Sequence, residues 1–141
     1  MLAPHQRRLL LQALALVPLT ALALRTCGFR RCSGALARLA RRAGADPLPP
    51  SAVRAAIGDT VRLFGVAVRR APCAGTCLSR ALVLWCLLRR QGVDADLRIG
   101  TRITAGELEA HAWVEYHGHP LAEDRRVHER YTAFARPLLP T

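Results

Sequence analysis

The reading of one stretch, Cys77 to Ile103, decides the fold: "CLSRALVLWCLLRRQGVDADLRIGTRI". Its first half is apolar at helical spacing, through Leu78, Ala81, Leu82, Leu84, Trp85 and Leu88. Gly92 stands where a helix end takes a left-handed residue, and Arg89 and Arg90 fall in the last turn, where the helix dipole favours cations. The second half changes period. Val93, Ala95, Leu97 and Ile99 alternate, with Ile103 continuing after Gly100, which is the pattern of a strand. A buried helix followed by strands predicts an α/β (α+β) fold.

Upstream lies "APCAGT" (Ala71–Thr76), whose Pro72 and Gly75 break any helix, so Cys77 falls at or within a residue of a helix N-terminus. Free N–H groups and the positive end of the dipole there stabilise a thiolate, and the same N–H groups can hold an oxyanion. Cys86, mid-helix among leucines, has the opposite surroundings and is expected to be inert; Cys73, in the loop, supports no assignment. Cysteines in apolar helices commonly serve as small hydrophobes. The helix alone therefore leaves packing and catalysis both open.

Downstream, "TAGELEA" (Thr104–Ala110) reads as a turn and "HAWVEYHG" (His111–Gly118) as a second strand. On it His111, Trp113 and Glu115 point to one face, and Ala112, Val114 and Tyr116 to the other. "HPLAED" (His119–Asp124) follows as a third short strand or extended arm, carrying Glu123 and Asp124 beyond the turn. The chain order is thus a helix-start cysteine, a strand histidine and a carboxylate. A thiolate attacks a carbonyl, an imidazole holds and returns the proton, and a carboxylate fixes the imidazole tautomer. His117, His119 and His128 show that the chain has histidines to spare, so a structural role for His111 stays open at this point.

The N-terminal side is apolar and basic. "RRLLLQALALVPLTALALRTC" (Arg7–Cys27) contains an uncharged run, Leu9–Leu24, that falls short of the ~20 residues of a membrane span and has Pro18 in its middle. Ala21-Leu22-Ala23 resembles a signal cleavage site, but the basic "LRTCGFRRC" after it suits export poorly. The stretch is read as a cytoplasmic helix packing on the rest of the protein or on a partner, with membrane attachment and a cleaved signal as alternatives. "SGALARLARRAG" (Ser33–Gly44) is a short amphipathic helix. Pro47, Pro49 and Pro50 then break the chain, and Ser51 is the expected cap of a helix carrying Val53, Ile57, Val61 and Phe64. The expected organisation is residues 1–46 as apolar and basic helices and 51–141 as the core, within one compact domain.

Charge follows the same division. Residues 1–90 hold 15 Arg against Asp46 and Asp59, while residues 91–141 hold 6 Arg against 8 acids; no Lys or Asn occurs anywhere. GC-rich coding explains the preference for Arg, yet the field is physical and attracts acidic partners. A nucleic-acid partner is not expected, because no basic stretch is interleaved with aromatics and no Cys/His finger spacing occurs. Five cysteines cannot all pair, which favours a reducing compartment, the cytoplasm. Cys27, Cys32, Cys73 and Cys77 have spacings that depart from zinc knuckles, so no metal is expected.

The motifs C-L-x-R-A-L, L-R-R-x-G, L-R-I-G and H-A-W-V-E, in this order over residues 51–131, resemble the stand-alone transglutaminase-like leader peptidases of lasso-peptide biosynthesis. The resemblance implies a papain-like and transglutaminase-like core. It also implies a cysteine protease that removes the leader from a ribosomally made precursor peptide and so frees the core N-terminus for macrolactam formation. The implied partners are that precursor, a small leader-recognition protein and an ATP-dependent macrolactam synthetase, with no cofactor and any nucleotide requirement open. Carried across, Cys77 is the nucleophile and His111 the general base. The family's acid, usually Asp, lies about twelve residues past the histidine; gapless counting lands on Glu123, with Asp124 the alternative. Two other classes remain: a non-catalytic binding module of the same fold, and a membrane-associated basic protein. On any of these readings the N-terminal helices pack on a small antiparallel sheet, with Leu82, Trp85, Leu97, Ile99, Val114 and Tyr116 in the core.

Overall fold

The helical half comes first. The computed structural model describes residues 1–72 and 75–139. Four helices, α1 (Pro4–Cys27), α2 (Phe29–Arg42), α3 (Pro50–Arg70) and α4 (Cys77–Arg89), precede strands β1 (Asp96–Thr104), β2 (Glu107–Tyr116) and β3 (His119–Leu121). A single turn, α5 (Val127–Arg130), and a two-residue strand, β4 (Thr132–Ala133), follow.

The centre is α4. Every residue from Ala81 to Leu88 is buried, the signature of a helix covered all round rather than on one stripe. Helices α1, α2 and α3 pack on it from one side and β1 and β2 from the other. Its ends are fixed locally. Thr76 caps the start, its Oγ1 accepting the Ser79 N–H at 3.3 Å. At the far end Gly92, at φ +82°, allows Val93 N–H to reach the Leu88 carbonyl and Gly92 N–H that of Arg89, both at 3.1 Å.

The sheet is antiparallel throughout, in the order β3-β2-β1-β4. Two-residue turns with positive φ at both positions, Ala105–Gly106 and His117–Gly118, join β1 to β2 and β2 to β3. Such turns match the right-handed strand twist and fix the register, which sets Gly100 opposite His111 and Val114 opposite Leu121. Leu97, Ala112 and Val114 form the buried face towards α4, with Ile99 and Tyr116 half-buried beside them, so all six expected core positions pack there together with Leu82 and Trp85.

Several local expectations are corrected. The uncharged N-terminal run is part of one 24-residue helix that continues through Pro18, because the flanking arginines are helical too and a proline removes only one ladder bond. Leu9, Ala13, Val17, Thr20 and Ala21 form its buried stripe. By length and composition α1 is long enough to cross a membrane, and 28% of its most apolar window is buried. Helix α2 starts at Phe29, four residues before the expected Ser33. Helix α3 starts at Pro50 with Pro49 as its cap, not at Ser51, since proline suits a first turn whose N–H groups lack partners anyway. The turn read at Thr104–Ala110 shrinks to two residues, and β2 begins at Glu107.

Candidate active site

Cys77 is the first residue of α4, half-buried and free as a thiol. The Ser79 N–H is taken by Thr76 Oγ1 and that of Arg80 by the Thr76 carbonyl at 3.1 Å. The earlier N–H groups of the first turn, those of Cys77 and Leu78, have no intrahelical acceptor and lie at the positive end of the helix.

His111 sits on β2 where β3 has ended, so its ring is not covered by a neighbouring strand on that side. Its Nε2 is 2.9 Å from Glu123 Oε2. An ionised carboxylate only accepts, so Nε2 carries the proton in this pair and Nδ1 is left to exchange one with a nucleophile. Asp124 takes a different place: its carboxylate accepts the Arg126 N–H at 3.0 Å and its carbonyl that of Val127. Cys77, His111 and Glu123 all line one cavity of about 280 Å³. The structure therefore places the three residues singled out from sequence on the wall of one cavity, with His111 and Glu123 in contact, and leaves Asp124 in a turn.

The ring of His111 is held from the outer face of the sheet. Trp113 stacks beside it, centroids 5.9 Å apart and planes 22° apart, and Tyr131 approaches to 5.1 Å. Trp113 is itself anchored: its Nε1–H donates to Glu115 Oε1 at 2.8 Å, and the same oxygen lies 3.0 Å from His128 Nε2. Arg98 stands behind the other oxygen, its Nε buried and 3.8 Å from Glu115 Oε2. Gly100 makes room for this layer, since a Cβ there would come within 2.8 Å of the Trp113 ring. Sequence alternation placed Trp113 and Glu115 beside His111, but His128, Tyr131 and Arg98 were not anticipated as their partners. No local pattern announces them.

The other cysteines differ. The Cys86 thiol is fully buried and donates weakly to the Leu36 carbonyl at 3.6 Å. Burial pushes its pKa up to about 11, against a smaller opposing pull from Arg90. Cys32 is also raised, by burial first and by Cys27 second. Cys73, which the zinc reading would need, lies outside the described residues.

A family model described as the transglutaminase-like superfamily matches residues 16–136. No curated protein and no solved structure matches the chain.

Proposed function

We propose, from the premise that this chain belongs to the transglutaminase-like superfamily, that it is a cysteine endopeptidase that removes the leader from a ribosomally made lasso-peptide precursor. The superfamily includes cysteine proteases and transglutaminases. The observation that carries the reading to peptide cleavage is the shared cavity of Cys77, His111 and Glu123, with the imidazole already bonded to the carboxylate.

On this reading Cys77 Sγ attacks the scissile carbonyl carbon while His111 Nδ1 takes the thiol proton. The carbonyl oxygen becomes an oxyanion, stabilised by the N–H groups at the start of α4. His111 returns its proton to the leaving nitrogen as the C–N bond breaks, freeing the core peptide's amine. Water, deprotonated by the same ring, then cleaves the thioester and releases the leader as a carboxylic acid. Glu123 stabilises the imidazolium and fixes the tautomer throughout.

The partners on this reading are the precursor peptide, a small leader-recognition protein that delivers it and an ATP-dependent macrolactam synthetase that closes the ring. The test is reconstitution: the purified chain, precursor and recognition protein, followed by mass spectrometry. Release of separate leader and core fragments supports the reading. An intact precursor after prolonged incubation with the folded chain contradicts it.

A second reading is favoured by one observation. Leu11, Leu19 and Leu22 are 66%, 59% and 59% exposed along one side of α1, with Arg7, Arg8 and Arg25 at its ends. Such a face suits attachment to an anionic membrane. Co-sedimentation with anionic vesicles supports it; a chain that stays in the supernatant at low salt contradicts it.

A further inference from the structure

The cavity at Cys77 is larger and more apolar than a thiol and an imidazole require. Its far wall is one side of α3, where Val61, Phe64, Gly65 and Val68 recur at helical spacing, and Leu84 and Leu121 oppose them. The adjacent side of α3, with Thr60, Leu63 and Ala67, is buried in the protein, and Phe64, itself buried, lies where the two sides meet. About 280 Å³ is ample for a large side chain, given that an apolar cavity of ~150 Å³ holds benzene.

Gly65 is the informative residue. A glycine inside a helix destabilises it relative to alanine, so its presence calls for a reason. Close helix packing is not that reason: a Cβ at position 65 would meet only the flexible tip of Arg69, Nη1 at 3.4 Å. Nor does the backbone require it, since Gly65 has no positive φ. Gly58, also in α3, is exposed to solvent, whereas Gly65 opens on the cavity. The absent side chain leaves room at the α3 wall of the cavity that Cys77 also lines.

We propose that this cavity is a specificity subsite for a bulky apolar side chain of the substrate, adjacent to the scissile bond, and that Gly65 sets its capacity. The inference rests on Cys77 being the nucleophile and names what the substrate must present to it. An acidic side chain drawn by Arg69 and Arg80, which also line the cavity, is the competing occupant.

The test measures alkylation rates at Cys77, with the modified residue identified by peptide mapping. The probes are iodoacetamide, N-benzyliodoacetamide and iodoacetate. In the unmodified chain, N-benzyliodoacetamide should label Cys77 at least ~10-fold faster than iodoacetamide, the scale on which apolar pockets discriminate. Gly65→Leu should abolish that preference, bringing the N-benzyliodoacetamide rate down to the iodoacetamide rate measured in the same variant, because the apolar extension loses its place. Gly65→Ala, which safeguards the test should the leucine variant not fold, should reduce the preference partly and raise the melting midpoint by about 2–4 °C. Equal rates for the benzyl and parent reagents, or a benzyl preference unchanged in both variants, overturns the proposal. So does fastest labelling by iodoacetate that is indifferent to position 65. Alkylation needs no cleavage, so the outcomes separate. Flat rates alongside a cleavage activity that depends on Cys77 refute the subsite alone; a benzyl preference lost in Gly65→Leu, alongside cleavage that persists without Cys77, leaves an apolar pocket whose capacity Gly65 sets but refutes the nucleophile, and with it the pocket's place beside the scissile bond.

Discussion

His111 Nε2 and Glu123 Oε2 stand 2.9 Å apart, whereas the carboxylate of the adjacent Asp124 is turned to the Arg126 backbone N–H. β3 ends at Leu121 and the chain bends at Ala122 (φ +54°), which turns Glu123 to the imidazole and Asp124 into the following turn. We expect Glu123→Ala to slow precursor cleavage by about 10²–10⁴-fold, the range seen when an orienting acid is lost. Asp124→Ala should retain most of the activity. Alkylation of Cys77 should survive both substitutions, because the carboxylate is not the nucleophile. Single-turnover rates for the two variants check this; a larger loss for Asp124→Ala would reassign the acid.

Glu115 should matter for stability. It is 6% exposed and gathers the Trp113 indole N–H, His128 and Arg98. Glu115→Ala would leave the Trp113 indole N–H and the buried Arg98 Nε without their carboxylate and should cost about 1–3 kcal/mol, the scale for leaving buried polar groups unpaired. Glu115→Gln, which can still accept from Trp113, should cost less. Urea unfolding of both variants measures the difference; a cost below ~1 kcal/mol for Glu115→Ala would mean that the cluster is not coupled to folding.

Much of this arrangement was legible in the sequence, for physical reasons that are local. Pro72 and Gly75 before an apolar 3.6-residue pattern located Cys77 at a helix start, and the switch to alternation located β1 and β2. The first hairpin was placed only coarsely, with its turn over Thr104–Ala110, and the second near His117–Gly118; Glu123 came from counting along the family resemblance and not from local physics. What was missed depends on contacts distant in sequence. The turn α5 and the strand β4 have four and two residues, too short for any periodicity, and they form by packing His128 and Tyr131 over the His111 face. The stripe Val53, Ile57, Val61 and Phe64 announced an ordinary core helix, and nothing in its spacing reveals that part of α3 borders the cavity of Cys77. Pro18 counted against a membrane span in the sequence, and packing of α1 on α3 and α4 holds the helix through it.

Cys86 supplies an alkaline signature. Its folded-state pKa, raised from 9.0 to about 11, means that the neutral thiol is favoured by folding. That contribution is complete below pH 9.0 and is lost as pH rises towards 11; a shift of this size corresponds to about 2–3 kcal/mol. Unfolding free energies measured from pH 8 to 11 should therefore fall more steeply for the unmodified chain than for Cys86→Ala. Cys32, raised for the same reason, should contribute a residual slope in the variant. Parallel pH profiles would exclude the buried thiol as the cause. Cys86→Ala should also keep its cleavage activity, since that thiol has no route to a substrate carbonyl.

The decisive measurement is precursor cleavage by Cys77→Ala, with circular dichroism to establish that the variant is folded. Cys77 is half-buried at a helix start, and alanine is an excellent helix residue, so the substitution should leave the fold intact. We expect cleavage to fall by at least ~10⁴-fold, as befits removal of a nucleophile rather than of a supporting group. A folded Cys77→Ala chain that still releases the leader at a comparable rate would contradict the assignment of this thiol as the nucleophile.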